Sequence, residues 1–172
     1  MAQDAIRPME QEELPLEDRV VKVYRCAKVV KGGRRFGFGA LVVVGDRAGT
    51  VGIGYGKANE VPAAVEKGVK GAKKDLRKIQ LSGRTVPHQI TGKFGSTRIT
   101  IVPASPGTGV IAGSSARAVL EYAGIQDVLT KVYGSTSAKN VVKATMDGLL
   151  RLRSKEMIEA LRGVEVQPVK RW

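Results

Sequence analysis

Two stretches of the sequence place glycine at every second position, with larger residues between. Gly37 and Gly39 belong to one stretch, and Gly52, Gly54 and Gly56 to the other. Because alternate residues of a β-strand point to the same face, each stretch predicts a strand with one face free of side chains. Glycine weakens a strand, so such a face indicates that another backbone or a ligand comes close. The close neighbour can be a helix of the same chain or an external ligand, and it can differ between the two strands.

The region around these glycines predicts an antiparallel sheet followed by a helix. Runs rich in β-branched and aromatic residues, separated by short glycine-containing turns, predict strands at 20–30, 36–44 and 51–55. Apolar residues then recur every three or four positions over 61–79, which predicts an amphipathic helix with Asn59 as its N-cap.

The second half predicts a further α+β unit, joined to the first at Ser82 and Gly83. Its predicted elements are strands at 85–90, 96–103 and 127–133, a turn at 91–95, a loop at 104–113, and helices at 114–123, 138–150 and 155–161. We therefore expect the α+β class, with an acidic mobile leader at 1–15, domains at 16–81 and 84–153, and a tail at 154–172.

Basic residues are concentrated in the middle of the chain. The 172 residues carry a net charge of +13, and the segment 19–93 alone also carries +13, against −5 for 1–18 and +5 for 94–172. A field of this sign on one half of a small protein suits a polyanion, either nucleic acid or an anionic membrane face. No apolar run is long enough to span a bilayer.

Composition argues against an enzyme. Cys26 is the only cysteine and His88 the only histidine, so internal disulfides, Cys/His metal sites and histidine pairs are excluded. Glu60, Glu66 and Asp75 are scattered among lysines, where ion pairing is the ordinary role. We expect no active site, cofactor, metal or small-molecule substrate. The acidic N-terminus opposes a secretory or transit peptide, so we expect a cytosolic protein.

The positions of the basic residues favour structured RNA. Lysines on a helix that packs on a sheet can reach phosphates across an RNA groove, and Lys31, Arg34 and Arg35 flank a Gly-Gly turn at the predicted hairpin tip. Aromatic residues are too few for base stacking to dominate in this region. The candidate RNA-binding residues are Arg19, Lys22, Arg25, Lys28, Lys31, Gly32, Gly33, Arg34, Arg35, Gly52, Gly54, Gly56, Lys57, Lys67, Lys70 and Lys74.

Three glycine-rich segments resemble known binding loops without meeting their requirements. Residues 52–58 have one residue too few for a phosphate loop and lack its Ser or Thr. Residues 107–112 resemble a dinucleotide-binding turn, but Asp127 begins the next strand, whereas that fold needs an acid at its end. Residues 92–95 copy a KH clamp between strands rather than helices. A glycine-rich helix start at 107–115 remains, suited to a phosphate or a close protein contact.

Longer motifs identify a family that this chain resembles. The matching segments are VKGGRRF at 30–36, VVVGD at 42–46, VGIGYGKA at 51–58, EVPAA at 60–64, PASPGTGVIAG at 103–113, RAVLE at 117–121, YGST at 133–136 and NVVKAT at 140–145. Together they closely resemble bacterial-type small-subunit ribosomal protein five over residues 14–160. The resemblance implies a first domain of three antiparallel strands and a helix, related to double-stranded-RNA-binding folds, and a second with a left-handed βαβ crossover.

The same resemblance implies a structural constituent of the cytoplasmic ribosome. It implies binding to ribosomal RNA at the junction of body and head, with small-subunit proteins four and eight as neighbours. An influence on decoding accuracy together with protein four, and a place beside the messenger RNA entry path, are also implied. The hairpin at Lys31–Arg35 matches the region tied to spectinomycin response, and Gly107, Gly109 and Arg117 match the face that meets protein four.

Two other functions are compatible with parts of the sequence. A free-standing regulator that binds double-stranded RNA would use residues 19–80 but leave the second domain without a role. A small nucleotide-dependent enzyme would use the loop that begins at Gly107.

Overall fold

The computed structural model describes residues 15–165, in which two four-stranded sheets and four α-helices are found. The predicted leader at 1–15, apart from Pro15, lies outside these residues, as does the end of the predicted tail from residue 166 onward. The predicted short helix near 155–161 is present as α4 (Lys155–Arg162), which ends at a left-handed Gly163.

The first sheet is an antiparallel meander with a helix on one face. Its strands run in the order β1 (Glu17–Val30), β2 (Gly33–Gly45), β3 (Thr50–Ala58) and β4 (Leu76–Lys78), and α1 (Val61–Lys74) follows β3. The three predicted strands and the helix after them are confirmed, and with them the α+β class.

The end of the predicted helix at 79 is wrong, because α1 ends at Lys74 and the chain becomes a fourth strand. Asp75 leaves the helical region with φ −120°, and Leu76 then pairs with Gly52. Leu76 packs toward α1, whereas Ile79 packs on the opposite face of the first sheet. The apolar spacing of these two residues resembles that of a helix, but it serves the two faces of a strand segment. Glu60, rather than Asn59, occupies the N-cap position, and its side chain makes no capping hydrogen bond.

The second sheet has the order β5-β6-β8-β7. Its elements are β5 (Ile90–Phe94), β6 (Thr97–Pro103), β7 (Val110–Ile111), α2 (Ser114–Tyr122), β8 (Val128–Gly134) and α3 (Ala138–Leu150). β7 and β8 are parallel neighbours joined through α2, which is the βαβ unit that the resemblance implies.

The predicted strand at 85–90 and turn at 91–95 are wrong by several residues. The strand occupies Ile90–Phe94, and a two-residue turn with a left-handed Gly95 (φ 56°) connects it to β6. Pro87 lacks a backbone N–H and therefore suits the irregular segment before β5. The predicted loop at 104–113 also contains the short strand β7.

One hydrophobic core joins the two halves. The sheet face of β2 and β3 that lies away from α1 contributes Val43 and Val51, which belong to the same buried cluster as Val119, Leu120 and Ile125 of the second half. A second, smaller cluster lies between the first sheet and α1. The two halves are therefore held together by buried apolar surface rather than by the chain connection alone.

The turn between β2 and β3 is organised by one carboxylate. The Asp46 carboxylate accepts hydrogen bonds from the backbone N–H groups of Ala48 and Thr50 at 2.7 and 2.8 Å. Partial burial by itself would raise the pKa of Asp46, but these hydrogen bonds outweigh it and lower the pKa below its ordinary value of 3.8.

We expect Asp46→Asn to destabilise the protein at neutral pH by about 1–2 kcal/mol, because hydrogen bonds to a charged acceptor are lost. The folded-state pKa is depressed, so the stabilisation is present above 3.8 and is lost as the pH falls through the lowered value. Urea unfolding should show a difference in the free energy of unfolding between wild type and variant at pH 7, and this difference should disappear at the most acidic pH at which both still fold. A difference that is the same at every pH would contradict the role of the charged Asp46 carboxylate.

Candidate nucleic-acid interface

A two-stranded arm projects beyond the first sheet. β1 and β2 pair along their full length from Glu17↔Gly45 to Val30↔Gly33, whereas β3 reaches only as far as Phe38↔Ala58. The hairpin between Cys26 and Gly37 therefore continues alone for five residue pairs, about 17 Å. We call residues 26–37 the arm. Gly32, with φ 89°, makes its tight turn.

Basic residues lie on both faces of the arm and its base. From Arg19 to Arg34 they recur at every third position, and no acidic residue occurs between Asp18 and Asp46. Side chains of a strand alternate with a period of two, so a period of three distributes charge to both faces. Pairing places Lys28 and Arg35 directly opposite each other on one face. A strand with a single solvated basic face would carry these residues at every second position instead.

No carboxylate of the described residues neutralises the arm cations. Within residues 15–165, no ion pair involves these basic side chains of the arm and its base, which are all exposed: Lys22, Arg25, Lys28, Lys31, Arg34 and Arg35. The Arg25 guanidinium lies 3.8 Å from the centre of the Phe36 ring, which holds it on the arm surface without cancelling its charge. At the arm base, Lys28, Arg35 and Lys57 line a cavity of about 610 Å³.

Arg19 makes a contact that the sequence did not predict. Its guanidinium forms an ion pair with Glu121 of α2, with 2.7 Å between Nη1 and Oε2. That contact connects the base of β1 to the second half of the chain. Arg19 therefore has a structural contact between the two halves, and its RNA contact stays a prediction.

The lysines of α1 form a second basic strip. Lys67, Lys70 and Lys74 are exposed, while Ala64, Gly68 and Ala72 of the same helix are buried against the sheet. Because α1 runs antiparallel to β3, the first of these lysines is nearest the arm base and the last is about 10 Å farther along the helix axis. We call these three lysines the α1 strip.

The glycines of β3 contact this helix rather than an external ligand. A Cβ on Gly54 would overlap the Gly68 carbonyl oxygen, and one on Gly56 would overlap that of Ala64. Two residues of strand advance about 6.6 Å and four residues of helix about 6 Å, so glycines spaced by two match small residues spaced by four. The assignment of Gly52, Gly54 and Gly56 to RNA contact is thus wrong, because α1 covers that face and buries them.

Gly39 of β2 lies on the opposite face of the sheet and accommodates an aromatic ring. A Cβ on Gly39 would overlap the Tyr55 hydroxyl group, and Tyr24 meets the Tyr55 ring edge-on at 6.5 Å between centroids. Lys139 of α3 places its Nζ 3.7 Å from the Tyr55 centroid and 4.8 Å from that of Tyr24. Sequence reasoning missed this contact between the halves, since nothing local to Lys139 relates it to the first sheet.

Two amides of the glycine loop before α2 are bonded to a carboxylate of the protein itself. The buried Asp127 carboxylate accepts from the backbone N–H groups of Gly107 and Gly109 at 3.0 and 2.9 Å through Oδ1, and Arg84 Nε lies 3.4 Å from Oδ2. The acid that resembled a nucleotide-fold signature therefore fixes the loop. Arg117 is exposed and donates to the Val110 carbonyl at 3.2 Å.

The described residues contain no other arrangement that suggests chemistry. Between residues 15 and 165, no group of three or more His, Cys, Asp or Glu side chains could hold a metal ion. In the same range, no helix combines the length and apolar character needed to cross a membrane. His88 Nε2 accepts from the Arg153 backbone N–H at 3.2 Å, so the lone histidine has a structural contact.

Comparison with known proteins gives the same family for both halves. Residues 16–80 match the model of the ribosomal protein S5 N-terminal domain, and residues 92–162 match that of the S5 C-terminal domain.

Curated relatives extend this match over most of the chain. A small ribosomal subunit protein uS5 of Syntrophobacter fumaroxidans is 52% identical over 162 residues, which are 94% of this chain and 98% of that protein. The uS5 proteins of Rubrobacter xylanophilus and Flavobacterium psychrophilum are 55% and 54% identical, over 88% and 91% of this chain and 76% and 90% of theirs. With both domain models matched in order and identity this high along nearly the whole length, the chain belongs to the ribosomal protein S5 family.

Proposed function

We propose that the chain binds folded ribosomal RNA through the arm, with phosphates contacting both of its faces. As a member of its family it is a structural component of the small subunit of the cytoplasmic ribosome, and the expectation that it is not an enzyme is confirmed. The proposal concerns which residues bind and in what manner.

The observation that carries it is the unpaired positive charge on both faces of a projecting hairpin. Among the described residues, Arg19, Arg47 and Arg77 each have a carboxylate partner, whereas the arm cations have none. Free charge of one sign is unfavourable within a protein unless a counterion balances it. RNA phosphates on two sides of the hairpin would supply that balance, and releasing their bound salt ions would favour binding.

The α1 strip favours structured RNA over a single strand at this interface. It lies on the outer surface of a helix whose opposite side is packed on the sheet, so it offers charge without a ring for stacking. Cations in that arrangement contact the phosphates of a duplex rather than its bases.

The finer assignments remain part of this proposal and rest on the family resemblance. They are a position at the body–head junction, proteins four and eight as neighbours, an influence on decoding accuracy, proximity to the messenger RNA entry path and a spectinomycin response at the arm. The loop at Gly107 and Gly109 supports a protein contact there, since its amides are already bonded to Asp127 while its surface and Arg117 remain exposed.

Co-sedimentation tests the assignment. Tagged protein expressed in a bacterium should be found in small subunits at one copy per particle after washing at moderate salt. Retention should fall when Lys31, Arg34 and Arg35 are replaced by alanine together. If the protein instead stays free of subunits and binds isolated duplex RNA, the regulator alternative would replace this proposal.

A further inference from the structure

The second sheet has one face that no helix of residues 15–165 covers. Along β6, Thr97, Ile99 and Ile101 are buried toward α3, while Arg98 is exposed on the other side and Thr100 is half-buried there. Pairing brings residues of β5 and β8 beside these two, and Thr91 Oγ1 lies 3.3 Å from Thr100 Oγ1 across the strands. We define the open face by Thr91, Lys93, Arg98, Thr100, Lys131 and Tyr133.

One pair of like charges is directly opposed on this face, and a third cation lies on the neighbouring strand. Lys93 lies opposite Arg98, and Lys131 lies on the next strand, opposite Thr100. Like charges in directly opposed positions destabilise a sheet. β5, β6 and β8 contain no Asp or Glu, and none of these three cations forms an ion pair within residues 15–165. No carboxylate in the described part of the chain pairs with these cations, and their charge is available to an external anion.

An aromatic ring and a shallow cavity complete the surface. Tyr133 lies opposite Arg98 in the same row and is 55% exposed. Beside it, a depression of about 440 Å³ is lined by the threonine hydroxyls, Arg98, Tyr133 and Gly134. Cations that follow a backbone, next to a ring available for stacking, are the combination that binds single-stranded nucleic acid. Hydroxyl groups add contacts to phosphate and sugar.

We propose that the open face is a second RNA site, which takes a single-stranded RNA segment by stacking one base on Tyr133 and contacting phosphates with Lys93, Arg98 and Lys131. It is separate from the arm in both position and chemistry, since the arm offers charge for structured RNA. The strand can come from ribosomal RNA or from messenger RNA.

Binding of a labelled uridine decamer, measured by fluorescence anisotropy, tests the site. The background is full-length protein in which Lys31, Arg34 and Arg35 are alanine, so that the arm does not mask a weaker site. Replacing Lys93, Arg98 and Lys131 by alanine should weaken binding about tenfold or more and lower the salt slope by about 2. The control replaces Arg153, Lys155 and Arg162 near or on α4, removes equal charge, and should change binding less than about twofold.

Tyr133 separates stacking from charge. Tyr133→Ala should weaken decamer binding about tenfold, while Tyr133→Phe retains the ring and should keep binding within about twofold. The melting temperature of the variant without Lys93, Arg98 and Lys131 should stay at or above that of the background, because removing the opposed Lys93 and Arg98 relieves repulsion. Equal losses of decamer affinity in the open-face and control variants would overturn the proposal, and this outcome does not depend on RNA binding by the arm.

Photo-crosslinking in assembled subunits identifies the source of the strand. With p-azidophenylalanine in place of Tyr133, crosslinks to ribosomal RNA or to an added messenger oligonucleotide would each support the site and name its ligand. Crosslinks to protein alone would contradict it.

Discussion

Replacing Gly54 by alanine is expected to destabilise the protein by about 3 kcal/mol or more, although the change adds only one methyl group. The new Cβ would overlap the Gly68 carbonyl oxygen and lie 2.7 Å from the Ala72 backbone nitrogen. Both obstacles are backbone atoms of α1, so the helix must move away from the sheet. The free energy lost by this overpacking exceeds the stability that alanine gains over glycine in a strand. Urea denaturation followed by circular dichroism measures the loss.

Gly71 supplies the matched control on the same helix. It is exposed, and its Cβ would lie 3.9 Å from the Gly54 Cα, an ordinary contact. Gly71→Ala should therefore stabilise the protein by up to about 1 kcal/mol, as alanine does in a helix interior. If Gly54→Ala were as stable as wild type, α1 would not pack on the β3 glycines as described.

Removing Lys31, Arg34 and Arg35 together is expected to weaken binding to small-subunit ribosomal RNA by about 100-fold at low salt. Each side chain is exposed and forms no ion pair with another described residue, so alanine should remove phosphate contacts while leaving the fold unchanged. The slope of log K against log salt should also fall by about 3, since each phosphate contact contributes about 0.9. Filter binding over a salt series measures both quantities.

The control near α4, in which Arg153, Lys155 and Arg162 are alanine, removes the same charge away from the arm. At about 0.1 M salt it should retain affinity within a few-fold, because attraction between charges more than about 10 Å apart is largely screened there. A melting temperature that falls in parallel with affinity in the arm variant would mean instead that these three residues support the fold.

The sequence predicted the parts of this molecule that depend on local pattern. Alternation in β1 to β3 and the three-to-four spacing of α1 are periodicities that each element shows by itself. The glycines of β3 predicted a close neighbour, but both α1 and RNA were compatible with them. The spacing match of Gly52, Gly54 and Gly56 to Ala64, Gly68 and Ala72 decides between the two, and it becomes visible only when both elements are placed.

Contacts between distant segments could not be predicted. Arg19 and Glu121 are 102 residues apart, and Lys139 reaches tyrosines of the other half, so no local signal relates them. The strand β4 was missed because the spacing of Leu76 and Ile79 fits a continued helix as well as a strand. The open face was missed because it arises from pairing of β5, β6 and β8, whose cations are unremarkable one by one.

The salt dependence of RNA affinity tests the central claim most directly. If the arm and the α1 strip bind through six to ten phosphates, the affinity of wild-type protein for small-subunit ribosomal RNA should fall by about 10³–10⁵ between 50 and 200 mM salt. An affinity that stays constant across that range would contradict binding through phosphate contacts, and with it the role assigned to the arm.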